Sequence, residues 1–529
     1  MALNINTNEF PILNHTEAQA WDDFSIQKKG VESRLLMGWA GYSVFLHLLN
    51  SSFFRRAETI HLLAGPGNNG GDGYVILWHI LSAFNKKAII WQLKPPVTED
   101  SVYYCELCLS LKDIREIECR TIDNFSENMD VVLQKNDVVI DALFGSGLNK
   151  EPSALLQTVF SSLNGLSDII RIAVDISSGV FAGGDVFNHT VFDAHYTYTF
   201  GSYKIGHLLE PGIMYSGNVH LFPIGFFPMN HPARRFLNEI PMVSMVPMIP
   251  MRKQGSHKYS SGIVTVFGGS SEMEGAAIMA ARAFGALGGG LMRIVSTSPV
   301  ISNVLNESPE YMVSSVSTIS EAEDKVLNII EGKKREQVLI IGPGLREEVS
   351  LEFWNRICNL ENLHIIIDGS ALSKLSKVKS ILQNHSLVSL TLTPHKEEAR
   401  KLLLKEVTNI REAALNISKE YNANVYLKGP GGLLIFADDR EEIYVNSKHF
   451  ELAVGGTGDV LTGVLANSIL RMGYKKGIEA GLHLYLKAAN DFTETIGKKS
   501  DGTVSVLKKD FLQPSDLMDQ LRKTWKEGI

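Results

Sequence analysis

The 529-residue sequence predicts two α/β domains, each a three-layer α/β/α sandwich around a largely parallel sheet. Short, nearly all-apolar runs rich in Val and Ile recur between helical stretches, as strands buried on both faces require. Most of these runs end in Gly, Asp or Ser, which suit ligand loops at the carboxyl ends of parallel strands. Midway, GFFPMNHPARRFLNEIPMVSMVPMIPMRKQGS (225–256) carries five prolines, which forbid long regular structure, and the alternation restarts beyond it. A single core rarely grows past roughly 250–300 residues, so a break there is expected on size alone. The expected domains are residues 1–230 and 231–529.

Composition narrows the class further. Hydrophobic residues at 44% and charged residues at 21% are the balance of a globular protein. The 51 Lys and Arg against 58 Asp and Glu leave a net charge of -7, so no broad positive field exists for nucleic acid. The four cysteines are too few and too uneven for a disulfide framework, which fits a reducing cytoplasm. Cys105 and Cys108 form a CxxC, but it lies in an apolar helical string without the second ligand pair that zinc needs, so packing is its expected role. No leader segment and no long apolar span is expected, hence no membrane partner. A homo-oligomer is compatible with the sequence, which offers no interface to name.

Along the first half, TIHLLAG (59–65), KAIIWQL (87–93), DVVIDALFG (137–145) and IIRIAVDIS (169–177) are the expected strands. The string GPGNNGGDGYVIL (65–77) follows one of them and opens a helix. Its glycines let the backbone approach a ligand, and free amides at the helix start suit a phosphate. A purely structural turn would not need Asn68, Asn69 and Asp72, whose side-chain oxygens suit a cation or a sugar hydroxyl. Asp141 in DALFGSGL and Asp175 in AVDISSG end two further strands, where each is either a helix cap or part of a common crevice.

In order, TEAQAWDDFSIQKKGVESRLLMGWAG, GPGNNGGDG, DALFGSGL, VDISSG and TFGSYKIGHLLEPG resemble the NAD(P)H-hydrate epimerase family over nearly all of residues 10–225, which implies a Rossmann-like domain. The resemblance implies that Asn68, Asn69, Gly70, Gly71, Asp72, Gly145, Ser146, Gly147, Leu148, Asn149, Lys150, Glu151 and Asp175 contact the hydrated dinucleotide, NADHX or NADPHX. It also implies that Asn69, Asp141 and Ser178 ligate potassium, and we assign Asp175 as the proton shuttle. This chain departs from the family pattern at ISSG, where IPSG is usual, and at GVFAGGDV.

In the second half the expected strands are GIVTVFGG, MRIVSTS, QVLIIGPG, LHIIIDGS, LVSLTLTP and NVYLKGPG. VGGTGDVLTGVLA (454–466) feeds a glycine turn into an apolar helix, so the amides of Gly456, Thr457 and Gly458 form an anion hole with Asp459 beside it. There Asp459 is placed to take a hydroxyl proton, or serves only as a first-turn helix charge. This GxGD arrangement resembles the ribokinase-like superfamily, and KGPGGLLIF (428–436) fits its adenine-nucleotide turn. The strings at 252–291, IIGPGL (340–345) and TPHKEEARKLL (393–403) resemble the NAD(P)H-hydrate dehydratase within it. Lys396 and Glu397 stand where that family usually has Pro and Gly.

That match implies that Ala276, Gly344, His395 and Asp459 contact the hydrated dinucleotide, with Asp459 catalytic. It further implies that Lys428, Gly429, Pro430, Gly431, Gly432 and Gly458 hold ADP, which brings Mg2+. The fused layout implies ADP over ATP. A small-molecule kinase with a non-catalytic N-terminal binding domain is the alternative.

Overall fold

A computed structural model describes residues 10–125, 133–232, 234–237, 249–250, 261–306, 308–445, 450–498, 504–508 and 512–527, the 494–498 and 504–508 segments by their backbone alone. Most of the proline-rich segment 238–260 and the start of the string at 252–291 lie outside the described residues. The chain forms two compact units, which divide between Arg235 and Phe236 apart from the short segment Thr408–Ile410.

In the first unit seven strands run in chain order: β1 (Thr59–Ala64), β2 (Lys87–Gln92), β3 (Ile117–Thr121), β4 (Val138–Ala142), β5 (Ile170–Val174), β6 (Tyr196–Phe200) and β7 (Asn218–Phe222). Their order across the sheet is β3-β2-β1-β4-β5-β6-β7, and every neighbouring pair is parallel. The order reverses between β1 and β4, the kind of switch point where a crevice opens at the carboxyl edge. The continuous apolar runs have a direct cause. Ile60, Leu62 and Ala64 of β1 pack on α1 (Ser33–Leu48), α2 (Asn68–Ala83) and α3 (Glu99–Leu109), while Leu63 packs on the other face against α4 (Ala154–Asn164). Both faces are covered, so no polar alternation appears. Cys105 and Cys108 lie buried in α3, as packing residues.

In the second unit the strands are β8 (Ile263–Phe267), β9 (Leu291–Ser296), β10 (Met312–Ser315), β11 (Gln337–Ile341), β12 (Leu363–Ile367), β13 (Ser389–Leu392), β14 (Asn424–Leu427), β15 (Gly432–Ile435) and β16 (Glu442–Val445). Their order is β16-β15-β14-β13-β12-β11-β8-β9-β10. Pairing is parallel from β10 to β14 and antiparallel at β14-β15 and β15-β16. The core lies under α5 (Glu274–Ala286), α7 (Thr457–Met472) and α8 (Tyr474–Thr493), which bury Val264, Val266, Val338 and Ile340. Helix α6 (Lys396–Leu403) follows β13.

Glycine sets the closest helix contact here. A Cβ on Gly463 of α7 would stand 2.1 Å from the carbonyl oxygen of Ala280 in α5. Gly463→Ala must push the two helices apart, and overpacking of this kind costs about 1–3 kcal/mol. A lowered urea midpoint for the second unit, with an unchanged first-unit transition, is the expected result.

Candidate active sites

The first site forms where β1, β4 and β5 end. Gly65 and the helix that starts at Asn68 bring backbone to backbone: a Cβ on Gly70 would lie 2.0 Å from the Gly65 carbonyl oxygen, and one on Gly65 would lie 1.9 Å from that of Leu143. The glycines of this loop are required by close approach, which also leaves the first amides of α2 at the crevice. Asn69 sits in that first turn. Both its side-chain oxygen and its nitrogen are buried without a hydrogen-bond partner, an expensive arrangement for a polar group unless something binds there. Gly145 lies between Asn69 and Asp175: a Cβ there would be 3.4 Å from Asn69 Oδ1 and 3.1 Å from Asp175 Oδ2.

Asp175 is held from several sides. Its Oδ2 accepts the Ser146 N–H at 2.9 Å, and its Oδ1 lies 2.5 Å from Lys204 Nζ and accepts the Thr199 hydroxyl at 3.2 Å. Burial alone would raise its carboxyl, yet Lys204 and the Ser146 amide hold it below the usual carboxylate range. Burial, together with Asp175 and Asp22, pushes Asp72 in the opposite direction, well above that range. The crevice therefore sets a carboxylate whose ionised form is favoured beside one whose protonated form is favoured, a contrast suited to acid–base chemistry. Asp141 forms a separate knot with Ser178: its Oδ2 accepts the Ser178 N–H at 2.8 Å and its Oδ1 the Ser178 hydroxyl at 2.7 Å. Burial pushes Asp141 up to about 6 against those bonds.

Among the predicted residues, the structure brings Asn69, Gly145, Ser146 and Asp175 together, and joins Asp141 to Ser178. Asn68, Gly147, Asn149, Lys150 and Glu151 are exposed along the same two loops, with Leu148 half-buried between them. Lys204, Thr199 and Asp22 were not singled out from sequence. Lys204 is 4% exposed, and a lysine so deeply placed after an aromatic strand is the signal that a buried anion stands nearby.

The second site gathers the ends of β12, β13 and β14 under the start of α7. Asp368, directly after β12, accepts hydrogen bonds on Oδ1 from Lys428 Nζ at 2.6 Å and from the Thr393 hydroxyl at 2.8 Å. A Cβ on Gly458 would meet Asp368 Oδ2 at 3.3 Å and Lys428 Nζ at 3.4 Å, so the loop 456–459 lies against this pair. Gly456 caps α7 with φ of +98°, a left-handed conformation that other residues adopt only with strain. Burial, then Asp368, pushes Asp459 up to about 7, with Lys428 opposing. Burial likewise raises Glu398.

Two expectations need amending. The Thr457 N–H is not a free member of the anion hole, because it donates to Val454 O at 3.4 Å and its hydroxyl turns to Leu452 O and Val454 O. His395 is first of all a helix cap: its Nδ1 accepts the N–H groups of Glu397 and Glu398 at 3.1 and 3.3 Å, while its own N–H donates to Glu398 Oε2 at 2.9 Å. Its Nε2, on a side chain 53% exposed, lies 3.6 Å from Glu398 Oε2. Gly344 has φ of +65° and closes on Met273, and Ala276 is half-buried in the first turn of α5. Lys428, Gly429, Pro430 and Gly431 make the β14-β15 turn, and Gly432 opens β15.

Two largely parallel-sheet units with charged crevices at their carboxyl edges, one of them entered by a GxGD helix, define a two-module enzyme. Residues 33–206 match the model of the YjeF-related protein N-terminus, and residues 264–497 match that of NAD(P)H-hydrate dehydratase. The bifunctional NAD(P)H-hydrate repair enzyme Nnr of Thermofilum pendens is 27% identical over 94% of this chain and 94% of its own. The bifunctional NAD(P)H-hydrate repair enzyme of Leishmania major is 28% identical, over 86% of this chain and 83% of its own. A solved ribokinase-like superfamily protein of Enterococcus faecalis is 21% identical, with a TM-score of 0.44, covering 57% of this chain and 98% of its own. The chain belongs to the bifunctional NAD(P)H-hydrate repair family, with a YjeF-related N-terminal domain followed by an NAD(P)H-hydrate dehydratase domain.

The Lys204–Asp175 pair yields a stability test. Lys204→Met strands a buried carboxylate, and breaking such a pair costs about 3–5 kcal/mol. Calorimetry should show the first unit's melting temperature falling, and Lys204→Met combined with Asp175→Asn should regain most of the loss because no charge is left unpaired.

Proposed function

We propose that the first unit interconverts the R and S forms of NADHX and NADPHX, and that the second converts the S form to NADH or NADPH using ADP, releasing AMP and phosphate. The observation that carries the second assignment is Asp459, half-buried at the first turn of α7 beside Lys428 and Asp368. Hydroxide leaves C6 of the reduced nicotinamide ring poorly. Asp459 accepts the proton of the C6 hydroxyl while its oxygen attacks the β-phosphorus of ADP, so a P–O bond forms and the bond to AMP breaks. The ring nitrogen lone pair then expels phosphate, and loss of the C5 proton restores the double bond. Lys428 and the amides of Gly456 and Gly458 stabilise phosphate charge, with Gly429, Pro430, Gly431 and Gly432 against the nucleotide and Ala276, Gly344 and His395 against the dinucleotide. Magnesium, held by the nucleotide's phosphates and water, supplies charge neutralisation there.

In the epimerase unit the ring nitrogen expels the hydroxyl as water and water returns on the other face. Asp175, kept ionised, takes the proton of the returning water, and Asp72 holds the proton for the departing hydroxyl. The loops 68–72 and 145–151 bind the dinucleotide. The buried, unpartnered oxygen of Asn69 fits potassium; Asp141 and Ser178 would complete the ligand set, and the ion would supply fixed positive charge for the dinucleotide. No described helix is long and apolar enough to cross a membrane. The proposed place of work is the cytoplasm. The domain limits we assign are residues 1–230 and 231–529.

Racemic NADHX with ADP, Mg2+ and the full chain tests this by recovery of NADH absorbance. Full recovery is expected for the wild type, recovery stopping at half for Asp175→Asn, and none for Asp459→Asn. A stable phosphorylated product without NADH would refute the dehydratase chemistry. Since Asp459 must be ionised to act, kcat should rise with pH through about 7 and fall below it. Asp368→Asn removes a negative neighbour and should move that midpoint downward.

A further inference from the structure

Asp175 adopts φ of +65°, a left-handed conformation rare for a residue other than glycine, and such strain persists only where the surroundings enforce it. Two contacts enforce it on the main chain. The Asp175 N–H donates to Tyr198 O at 2.7 Å, and the Asp175 carbonyl oxygen lies 3.0 Å from Nε2 of His207. The other ring nitrogen, Nδ1, accepts the main-chain N–H of Lys204 at 3.1 Å. Because Nδ1 accepts, the proton sits on Nε2, which donates to Asp175. One imidazole, 1% exposed, thus ties together the backbones of the two residues whose side chains form the 2.5 Å ion pair.

We propose that His207 is a positioning residue of the epimerase, a clamp that fixes Asp175 in its left-handed conformation and holds Lys204 in register with it. The proposal rests on the epimerase reading above, with Asp175 as the working carboxylate. The clamp acts on the main chain. Without it, Asp175 keeps its charge and its lysine, but the backbone is free to relax toward an unstrained conformation that swings the carboxylate out of line with Ser146 and the Gly145 loop. A misplacement of about 1 Å in a reacting group costs on the order of 100-fold in rate. The two ring hydrogen bonds run to the main chains of Asp175 and Lys204, which set the placement of the reacting carboxylate, so the effect falls first on kcat.

The full chain provides its own control, because the dehydratase unit can be assayed in the same sample with S-NADHX. His207→Leu removes both ring contacts, whereas His207→Gln presents an amide oxygen and an amide N–H about as far apart as the two ring nitrogens. For R-to-S conversion, His207→Leu should lower kcat about 100-fold with KM changed less than about twofold. His207→Gln should recover most of that loss, and dehydratase rates should be unchanged in both. A His207→Leu enzyme as fast as the wild type overturns the clamp while leaving the epimerase reading intact. So does a parallel loss of kcat and KM in both variants with a lowered first-unit melting temperature, the mark of a residue that only stabilises the fold. If His207→Leu does not fold, His207→Gln decides alone: near-native kcat supports the clamp, and a folded but slow enzyme overturns it. Absence of R-to-S conversion in the wild type would overturn the epimerase reading itself.

Discussion

A lysine ammonium withdrawn from water lies against an aspartate at the carboxyl edge of each sheet: the buried Lys204 and Asp175 at 2.5 Å in the first unit, the half-buried Lys428 and Asp368 at 2.6 Å in the second. Parallel sheets covered on both faces leave their chemistry only the strand ends, and a carboxylate placed there is half withdrawn from water. Such a charge survives only with a counter-ion and hydrogen bonds, which is why each aspartate also takes a threonine hydroxyl, Thr199 in one case and Thr393 in the other. Once the pair is in place, it sorts the remaining acids. Carboxyls without a lysine of their own, Asp72 in one unit and Asp459 in the other, feel burial and a fixed negative neighbour and retain protons more readily.

The two units use this device for different ends. In the first, the paired aspartate is itself the group we assign to proton transfer, and burial favours the protonated form of the unpaired one. In the second, Asp368 anchors Lys428 under the glycine turn, and the carboxylate we assign to proton acceptance, Asp459, comes from the helix that starts there. On these assignments the same local electrostatics serves a water exchange at carbon in one module and a phosphoryl transfer in the other. Fold class alone does not decide between them.

Much of this was legible in the sequence, for reasons that can be named. Strands buried on both faces advertise themselves as unbroken apolar runs, so β1, β2, β4 and β5, and β8, β9 and β11–β14, were recognisable. Strands β3, β6, β7, β10 and β15–β16 were not, since IECRT, YTYTF, NVHLF and MVSS interleave polar residues and GLLI followed a glycine turn. The loops 65–73 and 456–459 were visible because close backbone approach demands glycine. Asp368 carried the same strand-end signal as Asp141 and Asp175 and was passed over because its string was weighed only as a strand. Lys204 and His207 act through positions set by the β6 crossing, and no local spacing announces them. His395 was noticed for its chemistry, while its capping of α6 follows from His-x-x-Glu geometry at a helix start.

Asn tolerates the left-handed region as Asp does. A single base change in the codon of Asp175 would therefore leave the turn, the His207 contact and the loop around it nearly as they are, while deleting the negative charge. The cost of that change falls on Lys204, left buried without its counter-ion, so a lineage no longer needing the epimerase keeps a well-formed domain only by replacing Lys204 as well. Inheritance of shape and inheritance of catalysis are separable at this one pair.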